Sequence, residues 1–181
     1  MGPIEVLWGS LIVVFGLIGL VRGFLKEVGV TTVLAFLLFL LTFFAKEIAQ
    51  ALDMLVVLVR IAPIDGLQAN LLRYGVYTGV IILVTFISYQ GETLVFEGRP
   101  IPGPFGMALN LIIGLWNGYL VIGSLWYYMH TLDYPISLFG LFQQPLSPAA
   151  TVMVTLLPEA LIPPYGFLAL AAFLIFMRVV R

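Results

Sequence analysis

Two apolar runs, Ile4 to Val21 with Glu5 at its outer boundary and the uncharged Val28 to Ala45, are separated only by Arg22, Gly23, Phe24, Leu25, Lys26 and Glu27. Each run is close to the roughly 20 apolar residues that a helix needs to cross a bilayer. A charge deep in hydrocarbon costs several kcal/mol, on the order of 3 or more, so Arg22, Lys26 and Glu27 mark a water boundary. So short a link makes the two helices antiparallel neighbours. The expectation is a membrane hairpin with its charges crowded at one turn.

The rest of the chain supports a lipid environment. Of 181 residues, 62% are hydrophobic and 9% charged, with a mean hydropathy of +1.14. A soluble domain carries about 25% charged residues, and this chain could not cover its surface with polar groups. Net charge is −1 and the eight basic residues are scattered, which argues against nucleic acid. Cysteine is absent, which excludes disulfides and thiolate metal sites. No Lys or Arg precedes the first apolar run, and Val6 stands where a myristoylation motif wants Ser or Thr. The first run is therefore expected to stay as an anchor.

Further spans are expected at about 72–89 and 105–129. Between the second and third, Lys46, Gln50, Asp53 and Arg60 fall on one stripe at helical spacing. That pattern predicts a bend near Lys46 and an amphipathic interfacial helix, stopped by Pro63 and Gly66. A Gly- and Pro-rich loop holding Glu92, Glu97 and Arg99 precedes the fourth span. Its RPIPGP stretch reads as a stiff connection. Trp126, Tyr127 and Tyr128 suit an aromatic interface belt. Prolines then chop Thr131 to Pro164 into short pieces, with a helix expected at Ala149 to Leu157. Tyr165 to Val180 reads as a fifth span, slightly short, with a re-entrant helix as the alternative. The fold class is thus an all-α polytopic membrane bundle of four to five transmembrane helices in one domain.

With five spans, Arg22, Lys26, Arg99, Arg178 and Arg181 share one side, against Lys46, Arg60 and Arg73. The positive-inside rule then places the first turn and the C-terminus in the cytoplasm and the N-terminus outside.

Small residues carry the packing. Gly16, Gly19 and Gly23 line the first helix, with Gly9 a further turn-pair back, and Gly75–Gly79 and Gly114–Gly118 repeat the GxxxG spacing. Lipid gives helices little hydrophobic reason to associate, so close backbone approach substitutes for it. Asn110 and Asn117 lie seven apart on the fourth helix and are expected to bond across to neighbouring helices. Arg22, Lys26 and Glu27 read as boundary anchors, with Arg22 and Lys26 placed to meet a lipid phosphate. His130, the sole histidine, has no second ligand in a cofactor motif, and Glu159 stands among prolines without a partner pattern. No Ser–His–Asp set, phosphate loop or metal cluster is legible. The expectation is a protein that is not an enzyme and holds no cofactor, partnered by membrane lipids and by other membrane subunits or itself.

An acidic residue early in the first span, followed by G-x-x-R-G-F-x-[KR]-E, is similar to the opening of the colicin V production protein family. Here those residues are Glu5, Gly19, Arg22, Gly23, Phe24, Lys26 and Glu27. The likeness extends over about Met1 to Met129, through Leu71, Leu72, Arg73 and Tyr74 to Gly114 and Gly118. Two places depart from it. Pro102, Gly103 and Pro104 replace an acidic–arginine pair, and Asn117 replaces an arginine. The resemblance implies a bacterial inner-membrane protein linked to envelope homeostasis and colicin export, with no established reaction. The competing expectations are an accessory subunit of an electron-transport or photosynthetic assembly and, less favoured, a transporter or channel.

Overall fold

The structure is a computed structural model that describes residues 4–58, 66–91, 94, 96–139 and 147–180. Arg60, Pro63, Glu92 and Arg181 lie outside the described residues. All regular structure among the described residues is helical. Helix α1 is Ile4–Arg22, α2 Phe24–Phe43, α3 Ala45–Leu58, α4 Gly66–Gln90 and α5 Gly103–Thr131. The remainder comprises a 3₁₀ turn Pro135–Phe139, α6 Pro148–Val154, α7 Pro158–Leu161 and α8 Pro164–Val179. Four helices, α1, α2, α4 and α5, are long and apolar enough to cross a membrane.

The first turn is tighter than its composition suggests. A single residue, Gly23, separates α1 from α2, with φ +88° and ψ 155°. That conformation belongs almost wholly to glycine. Helix α2 therefore begins at Phe24 instead of Val28, and Lys26 and Glu27 fall in its first turn. The bend expected near Lys46 sits at Phe44, which closes α2 through its N–H to the Leu40 carbonyl. Helix α3 keeps its polar stripe outward and ties Asp53 to Arg73 of α4 in an ion pair. Helix α4 starts at Gly66, earlier than expected.

Helix α5 is the mast of the bundle: α1, α2, α4 and α7 all pack on it. Helices α1 and α5 run antiparallel, with Gly19 against Gly114 and Trp8 against Trp126. Helix α4 also runs antiparallel to α5, fixed by Tyr77 stacked on Tyr128 at 4.3 Å. The core between them is built from Leu34, Leu38, Ile81, Leu120 and Phe167, each at most 1% exposed.

The aromatic residues at the end of α5 are not an interface belt. Trp126 is 2% exposed and donates its Nε1–H to the Tyr134 hydroxyl, while Tyr128 is buried on Tyr77. In the proline-broken segment, α6 packs on the ends of α1 and α5 and α7 packs on α5, around buried Ile4, Trp126, Met129, Tyr134, Ala150 and Leu157. Asp133 and Tyr134 take left-handed backbone conformations there, φ 60° and 52°, which turn the chain under the helix end. The helix expected at Ala149 to Leu157 is α6, which ends at Val154; a turn follows, and α7 starts with Pro158 in its first turn. Ser147 caps α6 by accepting from the Ala150 N–H and donates to Glu5 of α1.

Helix α8 has 16 residues, or about 24 Å at 1.5 Å per residue, and runs antiparallel along α2. Tyr165 meets Phe43 at one end, and Met177 reaches the neighbourhood of Lys26 at the other. It is shorter than the four spans but follows α2 for nearly its whole length.

Candidate functional site

The charged turn and the two asparagines of α5 meet in one buried cluster. Glu27 is fully buried, 0% exposed, although it stands only one turn inside α2. Its Oε2 accepts two hydrogen bonds, from Asn117 Nδ2 at 2.8 Å and from the Tyr89 hydroxyl at 2.9 Å. Its Oε1 faces Arg22, whose Nη1 lies 3.4 Å away as an ion pair without hydrogen-bond geometry. The Arg22 guanidinium in turn lies over the Tyr89 ring, 4.4 Å from its centre. Arginine stacks on aromatic faces in this way because its charge is delocalised and weakly hydrated.

Asn117 is satisfied on both sides of its amide. Nδ2 also donates to the Glu27 carbonyl at 3.0 Å, and Oδ1 accepts from Thr31 Oγ1 at 2.7 Å. The opposite amide orientation would turn Oδ1 against the Glu27 oxygens, acceptor against acceptor. Thr31 itself also sits 3.0 Å from the Glu27 carbonyl, so one hydroxyl proton serves two acceptors on adjoining helices. Asn110 works one level nearer the turn. Its Oδ1 accepts from the Phe24 N–H at 2.8 Å, which caps α2 where Gly23 has no side chain to do so. The cluster therefore ties α1, α2, α4 and α5 together through one carboxylate and two amides.

Below it, α1 and α5 cross at backbone contact. A methyl placed on Gly19 would fall 2.5 Å from the Asn110 carbonyl oxygen and 2.7 Å from the Gly114 Cα. One on Gly114 would lie 2.6 Å from the Phe15 carbonyl oxygen, and one on Gly118 2.7 Å from Phe15 Cβ. One on Gly16 would lie 2.7 Å from Leu115 Cδ2. Gly16, Gly19, Gly114 and Gly118 thus form one seam. Gly75 and Gly79 do not join any seam, since a methyl on either meets nothing within 4 Å. Gly9 is likewise open, and Gly23 serves the turn rather than a contact.

Comparison of the chain with family models, with curated proteins and with solved structures finds no match.

The anchor residues separate by role. Lys26 is exposed on the outer side of the turn, Arg22 is 20% exposed at its side chain, and Glu27 has left the boundary for the interior. Burying a carboxylate is expensive unless hydrogen bonds and a counter-charge meet it, and both are present. Tyr89 and Thr31 carried no distinguishing pattern in the sequence. Their roles exist only because the fold brings α4 and α2 against Asn117. His130 packs edge-on against Tyr134 with ring centres 5.6 Å apart, and its Nδ1 has no hydrogen-bond partner. No group of three or more His, Asp or Glu side chains gathers among the described residues.

A second polar spot lies at the other end of α5. Pro158 is seated against Gly123, which brings Glu159 to the α5 face carrying Ser124 and Tyr128. Both Glu159 oxygens are out of solvent contact without a hydrogen bond, as are Ser124 Oγ and the Tyr128 hydroxyl. Burial pushes the Glu159 carboxyl up to about 7, with the neighbouring Ser124 hydroxyl pulling the other way. The group is therefore half-neutral near physiological pH.

Proposed function

We propose that this chain is a non-catalytic multipass protein of a bacterial inner membrane, similar to the colicin V production family, that acts through lipid or protein partners. The observation that carries this reading is the closure of the Glu27 cluster. Glu27, Asn117, Thr31 and the Tyr89 hydroxyl bond to one another and Asn110 caps α2, so they serve helix association and leave no activated nucleophile or base. Of the residues that carry the family resemblance, Gly19 lies in the seam, Gly23 makes the turn, the Phe24 N–H is capped by Asn110, and Arg22 pairs with Glu27 in the cluster. The basic residues also sort by end. Arg22, Lys26, Arg99 and Arg178 lie toward one end, and Lys46 and Arg73 toward the other. That supports a cytoplasmic first turn and an outer N-terminus.

A second reading, an accessory subunit of a larger membrane assembly, is favoured by the outward face of α4. Gly75 and Gly79 open onto it beside exposed Leu72, Ile82, Leu83 and Phe86. Small residues in an apolar stripe suit close approach by another helix.

One experiment tests both. Native membranes holding a tagged copy are solubilised gently, and the particle is sized and its components identified. A monomer or homo-oligomer with retained lipid is the expected result. A stoichiometric complex with other subunits would replace the first reading by the second, and ion or solute flux in liposomes holding only this chain would overturn both.

A further inference from the structure

A cavity of about 560 Å³ opens between the α1–α2 turn, the chain leading into α5 and the C-terminal half of α8. Its two walls differ in kind. One presents Arg22, Lys26 and Arg99, and the other Phe173, Leu174 and Met177. Among the described residues no acidic side chain lines it. Lys26 and Arg99 are exposed, and Arg22 engages Glu27 through Nη1 alone, which leaves other donors of its five. The start of α2 opens into the same space, where Leu25 and Lys26 belong to a first turn whose amides have no intrahelical acceptor.

We propose that this cavity binds an anionic phospholipid, its phosphate between Arg22, Lys26 and Arg99 and one acyl chain along Phe173, Leu174 and Met177. The inference names the lipid partner of the function proposed above and rests on that reading. A soluble anion would satisfy the cations but leave the apolar wall wet. A zwitterionic lipid would cover the wall but bring a positive charge toward three others. A phosphate on an acyl-bearing glycerol matches both walls, and the volume falls in the range of about 300–1,000 Å³ usual for small-molecule sites. The position fits too, since the basic wall sits at the helix turn and the apolar wall on an apolar helix that runs along α2.

The test uses the full chain purified in a neutral detergent and titrated by native mass spectrometry. The ligands are phosphatidylglycerol and phosphatidylcholine of matched acyl chains, with inorganic phosphate as competitor. The expected result is one phosphatidylglycerol held at least tenfold more tightly than phosphatidylcholine. A Lys26→Gln/Arg99→Gln double variant should lose roughly tenfold or more of that affinity, because each basic residue near a lipid headgroup contributes about 1 kcal/mol. Its phosphatidylcholine binding should stay as in the parent. Arg22 is left intact because it holds Glu27, so a loss of affinity does not come from a collapsed turn. Leu174→Gln should weaken both lipids together. Equal affinity for the two lipids, or an undiminished preference in the double variant, would overturn the proposal. So would displacement of the lipid by inorganic phosphate at equal concentration. Discrimination is measured on the chain however it purifies, so a particle with other subunits would overturn the free-standing function without altering the lipid result.

Discussion

Glu27 shows how one side chain changes meaning when its neighbours come from far along the chain. In the sequence it closes a run of boundary charges and reads as an anchor. In the fold it is the most deeply buried acid among the described residues, because Tyr89 and Asn117 arrive from 62 and 90 positions away to bond it. Local pattern carries no trace of such separation. Asn117, by contrast, was legible as a helix-to-helix bond, since a mid-helix amide must find a partner in hydrocarbon. Its removal is the sharpest single test. Asn117→Leu strips Glu27 of two hydrogen bonds, at Oε2 and at its carbonyl, and leaves Thr31 only the Glu27 carbonyl to donate to. Unfolding in detergent should show a loss of about 1–3 kcal/mol, the range for abandoning a buried polar partner. An unchanged midpoint would mean that the carboxylate is solvated some other way.

Among the helices, identical spacing met different fates. Gly75–Gly79 and Gly114–Gly118 are the same motif on paper, and only packing separates them. Helix α5 faces α1 across its glycines, whereas α4 turns Tyr77 and Ile81 to the core and its glycines outward. Gly114→Leu should therefore force α1 and α5 apart and lower the thermal midpoint strongly, at a cost of several kcal/mol, about 3 or more. Gly79→Leu should leave the isolated chain within about 0.5 kcal/mol of the parent. Equal effects from the two would contradict the seam. The hairpin α1–α2 and the four long helices were legible because hydrocarbon length and charge exclusion act on the sequence directly. The placement of α6 and α7 was not, since it depends on docking against α1 and α5.

That docking makes a pH prediction. Glu159 is held in α7 with a carboxyl raised by burial from the ordinary 4.5 to about 7. Below the ordinary value both the docked and the released group are neutral, and docking carries no charge penalty. Between the two values the released carboxyl ionises while the docked one stays protonated, so stability falls as pH rises, then levels off above about 7. The full drop is on the order of 3 kcal/mol, from about 1.4 kcal/mol per unit. Thermal midpoints at pH 5 and pH 8 check this, and Glu159→Gln should flatten the difference. Higher stability at pH 8 would show that the carboxylate is paired.

At the scale of the molecule, the bundle is held by two devices stacked along α5. A glycine seam lets α1 touch it, and a polar cluster ties α2 and α4 to the same level. Neither device requires an aqueous core, and both suit a bundle with four helices long and apolar enough to cross a membrane. The claim that one carboxylate couples separate helices can be measured directly. Tyr89 and Asn117 bond the same Glu27 oxygen from different helices. In a double-mutant cycle of Tyr89→Phe and Asn117→Leu, unfolded from detergent micelles, the shared acceptor predicts a coupling energy above about 0.5 kcal/mol. Effects that simply add, to within about 0.3 kcal/mol, would show that the two side chains act independently and that Glu27 does not join their helices.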